Sequence, residues 1–238
     1  MKVLLASFLY AICFLSSAQV TFGPKFGVTS FYQKYHFSGV YSTYNKPISN
    51  PKVGYMLGAV VNYKFNDWFA IRPELLFEHI SFETVTTDPS LKPVIYQQDL
   101  NKFNYLSLPV NIVLSNRSIQ FIAGPQIDYF VGGNVARTTI TNDSLHQNVS
   151  NQQSLHAVGG KQSSTSGNNY YLNPINLSLN IGGGYRTKRI LFTAQYNFGL
   201  TNVTPHNTNS LTESNRSHFV VNNRGGSLAI TYFFGSME

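Results

Sequence analysis

Residues 102–114, KFNYLSLPVNIVL, sort by parity. Leu106, Leu108, Val110, Ile112 and Leu114 fall on one side, and Tyr105, Ser107, Pro109 and Asn111 on the other. That alternation describes a strand with one apolar face. The pattern recurs in segments near 22–37, 53–65, 68–86, 102–114, 119–131, 172–185, 190–203 and 224–234. In VGYMLGAVVNYKF, Tyr55, Leu57, Ala59, Val61, Tyr63 and Phe65 oppose Gly54, Gly58, Asn62 and Lys64. In WFAIRPELLFEHISF, Phe69, Ile71, Pro73, Leu75 and Phe77 oppose Arg72, Glu74 and Glu78. A chain with this many half-apolar strands must close them around one another, and the question is which medium their apolar faces meet.

The connections help to decide it. Asn66-Asp67, SNRS (115–118) and RTKR (186–189) are short, whereas the links near 38–52, 87–101, 132–171 and 204–223 are long. Short turns at one end and long loops at the other describe an up-and-down antiparallel barrel of the outer-membrane type. Charged residues make up 11% of the chain, against roughly 25% in soluble domains. The polar parity carries amides, hydroxyls and glycines rather than the Lys and Glu of a solvated sheet, as expected for a filled lumen. Tyr and Phe recur near strand ends, at Tyr55, Tyr63, Phe65, Phe69, Tyr129, Tyr185 and Tyr232, where aromatic girdles would lie. The expected fold is therefore all-β: an eight-stranded antiparallel transmembrane barrel whose apolar parity faces lipid.

The N-terminus, MKVLLASFLYAICFLSSAQ, has a basic Lys2, an apolar run to Leu15 and a Ser16-Ser17-Ala18 end. It reads as a secretory signal peptide over 1–18, leaving 19–238 as one barrel domain exported to the Gram-negative outer membrane. The only Cys, Cys13, lies in that leader, so disulfides, thiolate metal sites and cysteine nucleophiles are excluded from the mature chain. After residue 18 no apolar run is long enough for a membrane-spanning helix. The 17 Lys and Arg against 10 Asp and Glu are scattered rather than gathered in a stripe, which argues against nucleic-acid binding.

Pro73, Pro109 and Pro125 fall inside strands, where each removes a ladder donor. Bulges near the short-turn end are expected to absorb them.

Several of these segments look familiar together. IRPELLF (71–77), YLSLPVNI (105–112), FIAGPQIDY (121–129), GGGY (182–185) and AQYNFGLTNV (194–203), ending in YFF, resemble the PorT-like outer-membrane β-barrel proteins of Bacteroidota. The resemblance spans about 22–234. It implies an eight-stranded barrel with both termini periplasmic, prolines in the strands as a family feature, and no catalytic motif. The family's founding member is associated with type IX secretion.

Five charged residues are expected to share the lumen: Lys64, Arg72, Glu74, Glu78 and Asp128. Buried charges need partners, so the reading is a salt-bridge network that plugs the barrel, with a selectivity cluster as its rival. An enzyme is not expected. A lipid hydrolase would need His79 with Ser81 and Glu83, and alternate residues of one strand do not reach one another. His146, His156, His206 and His218 lack metal-ligand spacing, and no cofactor or metal is expected. DSL (143–145) resembles the O-glycosylation triplet of Bacteroidota. The expected role is structural, loop-presenting or secretion-associated. Outer-membrane lipid surrounds the wall, and the loops 87–101, 132–171 and 204–223 meet a secretion complex or extracellular partner. A narrow solute pore, a lipid-modifying barrel and a soluble lipocalin-like barrel are the alternatives. The loop 132–171, rich in Asn, Ser, Thr, Gln and Gly, is expected to protrude without stable structure.

Overall fold

The computed structural model describes residues 19–37, 46–88, 94–143, 146–160, 168–205 and 219–234. The leader expected over 1–18 with Cys13, and also His206, His218 and the Ser144-Leu145 half of the DSL triplet, lie outside them.

Among the described residues ten strands form one sheet: β1 (Gln19–Phe37), β2 (Ile48–Lys64), β3 (Phe69–Asp88), β4 (Val94–Asn116), β5 (Ile119–Asp143), β6 (His146–Gly159), β7 (Asn169–Leu172), β8 (Ile175–Thr187), β9 (Ile190–Gly199) and β10 (Phe219–Tyr232). Eight of them close an antiparallel ring in the order β1-β2-β3-β4-β5-β8-β9-β10, with β10 returning to β1. Closure leaves no free edge to face lipid.

The parity read from the sequence is the parity of the wall. Leu106, Leu108, Val110, Ile112 and Leu114 are all exposed, at 40–49%, while Ser107, Asn111 and Val113 between them are fully buried. Phe26, Leu57, Leu75, Phe121, Leu177, Phe192 and Leu228 continue the outward apolar belt around the ring. Exposed apolar area on this scale is stable only against acyl chains.

At the short-turn end, Asn66 Oδ1 accepts hydrogen bonds from the amides of Trp68 (3.1 Å) and Phe69 (2.8 Å). Arg117 (φ 55°) and Lys188 (φ 43°) turn the other two hairpins in the left-handed region.

The in-strand prolines are accommodated without the bulges expected near the turns. The β2–β3, β3–β4 and β4–β5 ladders each omit two pairs beside Pro73, Pro109 and Pro125, and resume in unchanged register. Each proline stays paired with its following neighbour, as Pro73↔Val110, Pro109↔Gln126 and Pro125↔Leu179. The bulges sit at the other end, between Lys52 and Tyr55 and around Val131.

The long loops depart most from expectation. Most of 87–101 belongs to β3 and β4, and most of 132–171 is strand: β5 runs on to Asp143 and pairs with β6, which pairs in parallel with β7. Composition misled because Asn, Ser and Thr offer little side-chain burial, whereas the backbone of any residue can extend a ladder already nucleated by the barrel below. At Val131 the register slips, from Asn104↔Gly132 to Tyr105↔Phe130, and the parity of β5 inverts above it. Val135 is thereby buried inside. This tier is closed on its far side by single backbone bonds, from Asn173 N to Val203 O (2.9 Å) and from Val203 N to Val221 O (2.8 Å).

Candidate functional site: the lumen and its extracellular cover

From the turn end upward the lumen is layered. Its mouth is an open, polar cavity of about 260 Å³ bordered by Thr21, Asn62, Lys64, Asp67, Gln120 and Arg186. Lys64, expected in the charge network, stays at this mouth: its Nζ is 2.8 Å from Asp67 Oδ1 in the adjacent turn. That hydrogen bond holds the Asp67 carboxyl below the usual range.

The first interior layer is built on Arg72, which is 1% exposed. Its Nε donates to Asn62 Oδ1 (3.2 Å), an Nη donates to Gln120 Oε1 (2.8 Å), and the guanidinium lies 5.7 Å from the Phe233 ring. Arg186 approaches the same ring at 5.5 Å.

Above it, Glu74 meets a partner that the sequence reading missed. Lys25 of β1, 2% exposed, places Nζ 2.6 Å from Glu74 Oε2 and 3.2 Å from Gln195 Oε1. Asn111 Nδ2 donates to the other Glu74 oxygen (3.2 Å), so both carboxylate oxygens are satisfied. Lys25 was legible in principle. It is a lone cation in TFGPKFGV at the parity opposite Phe22, Phe26 and Val28.

Glu78 and Asp128 form the next layer with Ser107, Gln126, Ser178, Asn180 and Asn197. Ser107 Oγ is 3.1 Å from Glu78 Oε2, and Gln126 Nε2 and Ser178 Oγ (3.2 Å) donate to Asp128. Asn180 and Asn197 complete the network through Gln126 and Ser178. Of the five residues expected together, Arg72, Glu74, Glu78 and Asp128 therefore line the lumen in consecutive layers, and Lys64 stands apart.

The lumen is then roofed by apolar side chains. Phe82, Phe103, Phe130, Val135, Leu155 and Leu172 pack into one buried cluster with Tyr105 and Val221. Phe103 contacts Phe82, Phe130 and Tyr170, with ring centroids 5.6–6.0 Å apart. Burial raises the Tyr35 and Tyr170 hydroxyls above the ordinary tyrosine range. Near this cover Arg137 clasps Asp99 through two bonds of 2.9 Å, and the hydrogen-bonded carboxylate raises the guanidinium's pKa further.

The candidate hydrolase residues do not converge. His79 stacks on Tyr55 at 5.0 Å and bonds Asn104 Oδ1 through Nδ1 (2.8 Å). Glu83 pairs instead with Lys52 (2.9 Å) and Gln98 (2.8 Å). Among the described residues no group of three or more His, Cys, Asp or Glu is placed to share a metal ion.

A family model described as the outer membrane protein beta-barrel domain matches residues 16–204. The chain belongs to that family. It is an outer-membrane β-barrel protein, with the lipid-facing belt such a protein requires. Among solved structures it is similar to Ail, the attachment invasion locus protein of Yersinia pestis, in complex with the heparin analogue sucrose octasulfate: 13% identity, 91% of this chain and 99% of that chain covered, TM-score 0.41. It is also similar to Neisserial surface protein A (10% identity, 90% and 97% covered, TM-score 0.39) and to OprG from Pseudomonas aeruginosa (10% identity, 91% and 96% covered, TM-score 0.36). No curated protein matches the chain.

Proposed function

We propose that this protein is a non-conducting outer-membrane barrel that holds a folded extracellular tier in place for a partner, without catalysis. The observation that carries the reading is the double filling of the interior. The Lys25–Glu74 pair and Arg72 occupy the membrane level, and the cluster around Phe103 closes the level above. A solute pathway would have to break a desolvated ion pair and an aromatic core in turn.

The tier itself supports a presenting role. Much of 87–101 and 132–171 is hydrogen-bonded sheet, so a partner would meet a surface already ordered and no ordering cost would weaken binding. Val221, at the start of β10, joins it by accepting a hydrogen bond from Val203 N. The order of the segments quoted above supports kinship with the PorT-like proteins, and with it a secretion complex as one class of partner.

The test pairs conductance with excision. Purified protein in planar bilayers is expected to give no unitary current. Replacing 134–157 by a short turn is expected to leave a heat-modifiable barrel that no longer co-purifies its partner from outer membranes. Stable current steps from the intact protein would overturn the reading in favour of a narrow pore.

A further inference from the structure

Arg72 orders the floor of the mouth as well as filling the layer above it. An arginine side chain only donates, so its bonds to Asn62 Oδ1 (3.2 Å) and Gln120 Oε1 (2.8 Å) fix which way both amides are turned. The two amide nitrogens are left over. Asn62 and Gln120 are only 2% and 3% exposed, both border the mouth cavity, and neither nitrogen bonds any described residue. Neither nitrogen is sealed from solvent, however. Both NH2 groups therefore open on the cavity as unused donors, set in place by a buried guanidinium.

The charge around them has one sign. Arg186, half-buried, and Arg117 and Lys188 in the left-handed turns border the same cavity, and none of the three has a carboxylate partner among the described residues. The acid bordering it is Asp67, which is 99% exposed and already held by Lys64. Arg72 adds a further charge from behind Asn62 and Gln120, with its other Nη buried and unbonded. The next acid along β3, Glu74, belongs to Lys25. Turn cations alone would be ordinary solvated charges. Buried amides presenting donors into the cavity those cations surround make a site that attracts an anion.

We propose that the mouth binds a phosphate-type oxyanion, held at the floor by Asn62 Nδ2 and Gln120 Nε2 and from the side by Arg186, with Arg117 and Lys188 at the rim. Each of these groups donates hydrogen bonds and none accepts them in this arrangement. Guanidinium forks match phosphate oxygens two at a time. The donors come from β2, β5 and β8, on different sides of the cavity, and so suit a tetrahedral group with oxygens on several sides better than a flat carboxylate. The cavity opens at the short-turn end, which in outer-membrane barrels is periplasmic. Its phosphate can come from a soluble ester or from the headgroup of a phospholipid in the periplasmic leaflet.

The test uses the full chain folded in a maltoside detergent, with two arms. In one, glycerol 3-phosphate is titrated in by calorimetry. In the other, phosphatidylglycerol or diacylglycerol, which lacks the phosphate, is added to the micelles and the temperature of the gel-mobility shift is read. Saturable binding of one glycerol 3-phosphate per chain supports the site with a soluble ester as its source. A shift temperature raised by phosphatidylglycerol alone, without calorimetric binding, supports it with the headgroup as its source. Gln120→Glu separates a site from a scaffold. The carboxylate still accepts from Arg72, so the barrel should stay heat-modifiable, while the donor is replaced by a negative charge and the response should weaken about tenfold or more. Arg186→Gln should weaken it similarly, and Lys102→Gln near the tier should leave it unchanged. No response in either arm overturns the proposal, as does a response that survives Gln120→Glu and Arg186→Gln together. A response seen only in Glu238→Gln overturns it too, because that acid, outside the described residues, would then be the occupant.

Discussion

The two levels of this barrel's interior are built from opposite materials. At membrane level β3 and β4 turn Arg72, Glu74, Glu78, Ser107 and Asn111 inward and Leu75, Leu106, Leu108 and Val110 outward. Higher on the same two strands, Ile80, Phe82 and Phe103 are buried, while Glu83, Gln98 and Lys102 lie on the outer parity. The strands do not change; the medium outside them does. Where the wall meets lipid, apolar groups are placed outside and the polar remainder must satisfy itself across the lumen. Where the wall rises into water, the apolar groups gain by turning in. One continuous ladder therefore joins a hydrogen-bonded plug to an ordinary hydrophobic core.

The sharpest break of this comparison is Val135→Asp. The bulge turns this position inward, so the substitution buries a carboxylate without a partner inside the tier. The expected outcome is loss of the whole tier: protease cuts within 134–157 while the boiled and unboiled bands still differ.

Next comes the plug. Lys25→Met strands a buried carboxylate and should cost about 3–5 kcal/mol, read from urea unfolding in detergent. Adding Glu74→Leu should recover most of that loss, because the paired charges roughly offset their own desolvation. A double variant no better than the single one would deny that Glu74 is the partner that matters.

Truncation in the roof, Leu155→Ala, should cost about 2–4 kcal/mol. It should speed amide exchange in β6 and β7 and leave β8 and β9 protected. Uniform loosening would mean that the two levels unfold as one unit.

The smallest effect is at the boundary, where Lys52 lowers the Glu83 pKa through a hydrogen bond. Because the folded-state pKa is depressed, the contribution is present above the ordinary glutamate pKa and is lost as pH falls through the lowered value. Lys52→Gln should therefore cost about 0.2–1 kcal/mol at neutral pH, and the difference from wild type should vanish in acid.

Much of the membrane level was legible in the sequence, and little of the tier was. Period-two alternation identifies the lipid face of 53–65 or 102–114 because a side chain on a closed ring has only two sides to take. Arg72, Glu74 and Glu78 could be assigned to the lumen on the same ground. Their bonding could not. Glu74 finds Lys25 forty-nine residues away, on the strand beyond β2 rather than along its own, and Lys64 turns to Asp67 in the adjacent hairpin. In the tier, NVARTTITND reads as a polar loop until β4 is set beside it.

The amino-acid sequence by itself determined that this chain is a β-barrel, which parity faces lipid, and at which end its turns are short. Those properties depend on spacings of two residues and on connection lengths, both local. Only the tertiary structure decided which charges meet, that the bulge at Val131 reverses the parity of β5, and that most of 87–101 and 132–171 rises as sheet over a filled lumen. Each of these depends on register between strands far apart in the chain, which side-chain periodicity leaves free and backbone hydrogen bonding fixes.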